Sequence, residues 1–211
     1  MRTAFIAGAS GLVGSELLSL LLSGDRYQKV YAITRKPLGE HPNLVQLGGD
    51  MADPKSYSDV QADDVFCCLG TTIAVAGSKE NFRKVDYVFP TVIAKSLLTN
   101  GASQYLLVSA LGANKSSSIF YNRVKGEVEE TISQSGYDNV HIFRPSLLIG
   151  ERIEKRTGED AAKVFYKIFG FLIPRKYKGI EAGRVARAMY HCAGLDQKGT
   201  HIHESGEMQS F

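Results

Sequence analysis

The chain alternates short apolar runs with segments in which apolar residues recur at helical spacing. Helical spacing follows the first run and recurs at residues 86–99 and 121–134. Because the apolar runs are continuous, they are typical of parallel strands covered by helices on both faces. The sequence therefore predicts a doubly wound α/β fold with strands at 3–7, 29–35, 44–47, 63–69, 104–110 and 139–144.

The pattern changes after Pro145. A charged segment at 151–160 is followed by amphipathic helices at 161–171 and 182–193 and by a terminal strand at 200–204. At 211 residues the chain is long enough for one core, so a single domain over 1–211 is expected. Residues 146–211 are too few for an independent domain and are predicted to form a small cap over the carboxyl end of the sheet.

Three glycines at a spacing of three interrupt the first strand and open the first helix. Gly8 allows a sharp turn, Gly11 leaves room for a pyrophosphate, and Gly14 allows close packing of the helix. The amides at the start of that helix face an anion. This pattern predicts a Rossmann fold that binds a dinucleotide, and the alternative is a tight strand-to-helix turn without a ligand.

The end of the second strand indicates which dinucleotide binds. An acidic residue there would hold the adenine ribose of NAD, but the position carries Arg35. A guanidinium pairs with a 2′-phosphate, so NADP(H) is preferred over NAD(H), the alternative being a solvent-facing arginine. Asp50 could accept from the adenine amino group or only shape a turn. The small residues after the fourth strand, Gly70 and Thr71, lie where a cofactor would pass.

Three residues form a candidate catalytic set. Ser109 ends a strand, and Tyr121 and Lys125 are four residues apart, on one face of a helix. A phenol is a poor base at neutral pH, and a neighbouring ammonium stabilises its ionised form. We expect Tyr121 to relay a proton while Ser109 donates to the substrate oxygen and a nicotinamide carries the hydride. The alternative is a helix face with a packed tyrosine and a solvated lysine.

Charge and composition limit the classes of binding partner and the cellular location that the sequence indicates. The net charge is only +3 and both signs are mixed, so no nucleic-acid partner is indicated. The basic excess between Lys163 and Arg187 is interpreted as a solvated face, with an anion-binding or docking surface as the alternative. The three cysteines form no disulfide framework, and no apolar segment has the form of a signal peptide or membrane span. A cytoplasmic protein without a membrane span is expected.

Histidines near the carboxyl terminus could form a metal-binding site. His201 and His203 share a strand face and could bind an ion with His191 or Glu204. A half-exposed terminal strand explains the pair better, so the sequence predicts no metal site.

Together these residues resemble the short-chain dehydrogenase/reductase superfamily, in its extended or atypical branch, and within it the Tat-interacting protein group. The resemblance spans nearly the whole chain, through residues 8–14, 33–35, 66–72, 114–117, 121–129 and 143–145. It implies an NADP(H)-binding oxidoreductase or epimerase acting on a carbonyl or alcohol group, with Lys125 also holding the nicotinamide ribose. The cofactor contacts expected are Gly8, Ser10, Gly11, Leu12, Val13, Gly14, Arg35, Asp50, Leu69, Gly70, Thr71, Lys125 and Pro145.

Two departures from the extended enzymes limit this expectation. Many members have a Val-Asn pair where this chain has Val85 and Asp86, and the chain lacks most of their substrate domain. The substrate is therefore not indicated, beyond the candidate pocket residues Arg152, Phe165, Phe169 and Tyr177.

Proteins of the Tat-interacting group are discussed as regulators as much as enzymes. The alternative function is thus a non-catalytic NADP(H) sensor in which the nucleotide orders loops 74–76 and 111–113 and a protein partner binds. The helices at 86–99 and 121–134 resemble those that form dimer interfaces, which makes a homodimer a further expectation.

Overall fold

A computed structural model of the chain describes residues 1–150 and 178–211. Seven parallel strands form one sheet, whose order from edge to edge is Leu44–Leu47, Tyr27–Ile33, Arg2–Ala7, Asp64–Cys67, Gln104–Val108, Asn139–Arg144 and Gly199–Glu204. This arrangement confirms the predicted doubly wound α/β fold. The strands, including two short ones outside this sheet, are β1 (Arg2–Ala7), β2 (Tyr27–Ile33), β3 (Leu44–Leu47), β4 (Asp64–Cys67), β5 (Gln104–Val108), β6 (Asn139–Arg144), β7 (Leu148–Ile149), β8 (Ile180–Glu181) and β9 (Gly199–Glu204).

Helices connect the strands and cover both faces of the sheet. The described helices are α1 (Leu12–Ser23), α2 (Ile73–Ala76), α3 (Lys79–Arg83), α4 (Phe89–Thr99), α5 (Phe120–Ser133), α6 (Ala182–Cys192) and α7 (Ser205–Met208). A 3₁₀ turn spans Pro54–Tyr57, and a π-helical turn over Lys84–Val88 joins α3 to α4. The helix expected from residue 86 therefore begins at Lys79, where the Ser78 side chain caps it by accepting from the Asn81 amide.

Two apolar cores lie on opposite faces of the sheet. On one face, α1 and α6 pack together through residues such as Leu17 and Met189. On the other face, α4 and α5 contribute residues such as Leu97 and Ile132. Burying one such side chain contributes about 1.5–3 kcal/mol. Since both faces are covered, the strands need apolar residues on both sides, which explains the continuous apolar runs.

The carboxyl-terminal part of the chain departs from the expected cap. β7 and β8 pair in a separate two-stranded sheet. In contrast, α6 joins the helical layer beside α1, and β9 pairs in parallel with β6. These two elements belong to the main layers because their apolar faces are buried there. The expected helix at 161–171 and the four candidate pocket residues lie outside the described residues.

The parallel sheet places the functional loops together. The segments that follow β1, β4, β5 and β6 leave from the carboxyl edge of the sheet, where α/β proteins of this topology bind ligands. Among the residues described, no helix has the length and apolar character needed to cross a bilayer.

Candidate active site

The glycine turn between β1 and α1 is packed tightly against the end of β4. Gly8 has a φ of +83°, and a Cβ there would lie 2.7 Å from the Cys68 carbonyl carbon. A Cβ on Gly14 would lie 2.0 Å from the Gly8 carbonyl oxygen. Gly11 caps α1 without a side chain, so the first amides of this helix have no side-chain acceptor. The turn thus offers backbone donors at the carboxyl edge of the sheet.

A buried ion pair joins the π-helical turn before α4 to α5. Lys125 Nζ lies 2.7 Å from Asp86 Oδ1, and the two side chains are 5% and 0% exposed. The other carboxylate oxygen of Asp86 accepts the Thr71 backbone amide at 3.0 Å. Asp86 lies in the π-helical turn, a feature often found at functional sites because it re-aims a side chain. The lysine is therefore fixed beside Gly70 rather than solvated.

Tyr121 lies one helical turn before Lys125 on α5, as the spacing predicts. Its ring is half-buried and packs 5.3 Å from the ring of Phe82, measured between centroids. Burial alone would lower the pKa of Lys125, but the charges of Asp86 and Tyr121 outweigh it and raise that pKa above its usual value. Lys125 is therefore an ammonium at neutral pH.

Ser109 belongs to a different set of contacts from the one expected. Its hydroxyl donates to Glu129 Oε1 at 2.5 Å. Glu129 in turn binds Arg144 at 2.6 Å, and Arg144 also contacts Glu204 at 3.1 Å. Within residues 1–150 and 178–211, no hydrogen bond joins Ser109 to Tyr121. The single proton of the Ser109 hydroxyl is committed to a buried carboxylate, which leaves its lone pairs as acceptors.

The remaining predicted cofactor residues lie along the carboxyl edge. Ser10 and Arg35 are exposed, and among the described residues no carboxylate pairs with Arg35. Asp50 is exposed too, but its Oδ1 accepts the Ala52 amide at 2.9 Å, as in an ordinary turn. The other predicted contacts are arranged by backbone packing: Leu12 and Val13 in α1, Leu69 and Gly70 after β4, and Pro145, whose carbonyl accepts the Leu111 amide.

Sequence reasoning missed three residues that shape this site. Glu129 was not singled out, although it lies one turn after Lys125 among the buried residues of α5. Arg144 was noted only as part of a resembling segment. Gly126 allows the loop before α5 to approach, since a Cβ there would lie 2.1 Å from the Lys115 amide nitrogen. A charged residue within a buried helical stripe was the available signal for Glu129.

The histidines of β9 have partners other than those considered from the sequence. His203 Nε2 lies 3.0 Å from Nδ1 of His141, a buried residue of β6. Glu204 pairs with Arg144, and His191 packs against Phe211. Burial, followed by the neighbouring imidazoles, lowers the pKa of His141 to about 4, so this ring is neutral at pH 7.

Comparisons with known proteins identify relatives of this chain. No family model matches it. It is 37% identical over 171 residues to protein HTATIP2 of Rattus norvegicus, covering 78% of this chain and 70% of that protein. It is 32% identical over 217 residues to mitochondrial protein FMP52 of Eremothecium gossypii, covering 99% and 96%. The chain belongs to this family. The HTATIP2 relative confirms the resemblance to the Tat-interacting protein group.

Solved structures share the fold at low sequence identity. The Bordetella bronchiseptica enzyme WbmH in complex with NAD⁺ superposes with a TM-score of 0.73 at 21% identity, covering 97% of this chain and 76% of that one. The UDP-glucose 4-epimerase of Thermotoga maritima gives 0.72 at 14% identity, covering 97% and 77%. This likeness confirms the Rossmann fold.

The expected cytoplasmic location is wrong by these comparisons. The FMP52 relatives from six fungi are named mitochondrial proteins. Cysteine usage and the absence of a disulfide framework are shared by reducing compartments in general, so they did not discriminate between the two locations.

Proposed function

We propose that this member of the FMP52 and HTATIP2 family is an NADP(H)-binding oxidoreductase or epimerase that acts on a carbonyl or alcohol group. The observation that carries this proposal is the buried Lys125, held by Asp86 one turn from Tyr121 at the carboxyl edge of the sheet. Burying a lysine with a carboxylate costs desolvation energy that their attraction only partly offsets, which favours a functional role for the pair. A bound nicotinamide would supply or accept the hydride there.

The glycine turn supports a dinucleotide. The amides at the start of α1 have no side-chain cap, and Gly8 and Gly14 leave no space for larger residues beneath them. A pyrophosphate would be stabilised by these amides and by the dipole of α1. The residues present therefore fit the cofactor.

A preference for NADP(H) follows from Arg35. This side chain is exposed after β2, with no carboxylate paired to it in the described parts of the chain. A free guanidinium can form two parallel hydrogen bonds to a 2′-phosphate, whereas NAD(H) offers only a hydroxyl. The positive charge thus favours the phosphorylated nucleotide.

Tyr121 would transfer the proton. Its hydroxyl would donate to a carbonyl oxygen in reduction and accept from an alcohol in oxidation. The ammonium of Lys125 would stabilise negative charge that develops on that hydroxyl, and Asp86 would offset part of this effect because it lies against the ammonium. Since Ser109 donates to Glu129, Ser109 must rotate before it can donate to a substrate.

The same two contacts favour the second candidate function, a non-catalytic NADP(H) sensor that binds a protein partner. A serine committed to Glu129 and a lysine neutralised by Asp86 would weaken catalysis without affecting nucleotide binding. Val75 and Ile119 are 61% and 59% exposed in segments beside the carboxyl edge, where a partner or an apolar substrate could bind.

Replacement of Tyr121 separates the two functions. The native protein is incubated with NADPH and a panel of aldehydes and ketones, and cofactor oxidation is followed by the loss of NADPH fluorescence. We expect Tyr121→Phe to lower the turnover rate by at least about 100-fold and to leave NADPH affinity unchanged. Tyr87→Phe, which changes another half-buried tyrosine, is the control. Turnover that survives in Tyr121→Phe would exclude Tyr121 as the proton donor, and NADPH binding without turnover in the native protein would favour the sensor.

The FMP52 relatives also favour a mitochondrial location for this protein. Subcellular fractionation of a carboxyl-terminally tagged chain tests this location.

A further inference from the structure

A buried cluster of two imidazoles and a thiol lies outside the candidate active site. His141 comes from β6, His203 from β9, and Cys192 is the last residue of α6. One ligating atom from each residue lies within 4.8 Å of the other two. His141 and Cys192 are 0% and 4% exposed, whereas His203 is only partly buried. The cluster is therefore enclosed, with access from solvent past His203.

Hydrogen bonds do not satisfy every buried polar atom of this cluster. Nδ1 of His141 and Nε2 of His203 lie 3.0 Å apart, so one of them donates to the other. Nε2 of His141 is buried and has no hydrogen-bond partner among the described residues. A buried nitrogen without a partner costs about 1–3 kcal/mol. Two imidazoles placed against a thiol are thus poorly explained as a purely hydrogen-bonded core.

We propose that His141, Cys192 and His203 form a binding site for a divalent transition-metal ion, with Zn²⁺ as the best match. Two imidazole nitrogens and one sulfur are ligands that Zn²⁺ prefers, and three protein ligands leave one tetrahedral position open. The imidazoles bind through neutral nitrogens, and Cys192 binds as a thiolate whose proton passes to solvent.

A nearby acidic residue favours a ligand at the fourth coordination position of the ion. Glu207, an exposed residue of α7, is close enough to act electrostatically on both Cys192 and His203. A water molecule near its carboxylate would complete the coordination on the open side. The set considered from the sequence, His201 and His203 with His191 or Glu204, does not assemble. Glu204 pairs with Arg144, and His201 contacts the Lys198 carbonyl.

A bound ion would connect three elements that are distant in sequence. It would tie β9, the edge strand of the sheet, to β6 and to the end of α6. A ligand that binds only the folded state raises its stability. We therefore expect the ion to stabilise the carboxyl-terminal part of the fold, independently of whether the candidate active site turns over a substrate.

Cobalt titration tests this site. The full chain is reduced, stripped with a chelator and titrated with Co²⁺, which reports a thiolate ligand by a charge-transfer band in the near ultraviolet. We expect this band together with the visible bands of tetrahedral cobalt, saturating at a single ion per chain and abolished by excess Zn²⁺. No charge-transfer band in the native protein would overturn the proposal.

Matched variants assign the ligands. Cys192→Ser should lose the charge-transfer band, and His203→Gln should lose the tetrahedral bands. The controls His191→Gln and His201→Gln should retain both. A band that survives in Cys192→Ser would contradict the proposal, because the thiolate would then come from another cysteine.

Thermal unfolding gives a second readout that does not depend on the cobalt spectrum. Zn²⁺ should raise the Tm of the native protein and of the two control variants, but not that of Cys192→Ser. Circular dichroism establishes that each variant is folded before either measurement. An equal rise of Tm in Cys192→Ser would overturn the assignment.

Discussion

At the scale of single residues, Asp86 sets the charge beside Tyr121. Its carboxylate lies 2.7 Å from the ammonium of Lys125, inside a pair that is almost fully buried. A lone ammonium would strongly favour the ionised phenol, but a paired ammonium does so less because the two charges partly cancel. Asp86 therefore fixes Lys125, and under the proposed function it would moderate the effect of that ammonium on Tyr121.

Replacing Asp86 should change the pH dependence of turnover. Asp86→Asn keeps an acceptor for the Thr71 amide but removes the negative charge, so Lys125 acts more strongly on Tyr121. We expect the rate profile of NADPH oxidation to move to lower pH. The control is Asp64→Asn, which removes a buried carboxylate at the start of β4. Identical profiles for Asp86→Asn and the native protein would contradict this role.

The buried carboxyl group of Asp64 should make the stability of the fold depend on pH. It is fully buried and contacts Arg2, Tyr27 and Gln104. Burial raises its pKa from 3.8 to about 6, so between these values the folded chain keeps a proton that the unfolded chain releases. The contribution of Asp64 to stability therefore falls as pH rises through this window, by about 3 kcal/mol in total.

Urea unfolding at several pH values between about 4 and 7 measures this contribution, with the native protein and Asp64→Asn compared at each pH. The free energy of unfolding of the native protein should fall as pH rises through this range because of Asp64, whereas that of the variant should not. The difference in unfolding free energy between the two proteins should therefore change with pH. A constant difference across the window would show that Asp64 does not hold the proton.

At the scale of elements, the contacts of Glu129 join four parts of the fold. Through Ser109, Arg144 and Glu204 they connect α5 to the ends of β5, β6 and β9. The side chain of Glu129 is only 7% exposed. Removing one partner from such a buried pair leaves the other charge uncompensated, which makes the network structurally important.

Glu129→Ala should lower the free energy of unfolding by about 3 kcal/mol. Glu127→Ala is the matched control, since Glu127 lies on the same helix and pairs with Arg83 at a more exposed position, where a pair contributes less than about 1 kcal/mol. Denaturant unfolding compares the two variants. Equal losses of unfolding free energy in the two variants would show that burial of the Glu129 network adds no stability.

The elements differ in how well the sequence predicts them. β3 and β6 match their predicted ranges because each is a compact apolar run between turn residues. The helical segment from Lys79 was missed because its residues are polar and show no apolar spacing. α6 and β9 were detected, but their place in the main layers depends on contacts with α1 and β6, which lie far away in the sequence.

At the scale of the whole molecule, local pattern was sufficient for the fold and for part of the candidate site. The glycine turn and the spacing of Tyr121 and Lys125 are local features, so the sequence predicts them directly. The pairings of Lys125 with Asp86 and of Ser109 with Glu129 arise from the packing of α5 against the π-helical turn and the end of β5. Location was mispredicted because a folded core of this composition suits more than one compartment.

The most direct test of the account is a calorimetric titration of the purified protein with NADPH and NADH. We predict tighter binding of NADPH, and a loss of at least about tenfold in NADPH affinity in Arg35→Ala with NADH binding unchanged. Lys29→Ala, an exposed position on the preceding strand β2, is the control. Failure of both nucleotides to bind, or equal binding that Arg35→Ala leaves unchanged, would contradict the proposed NADP(H) site.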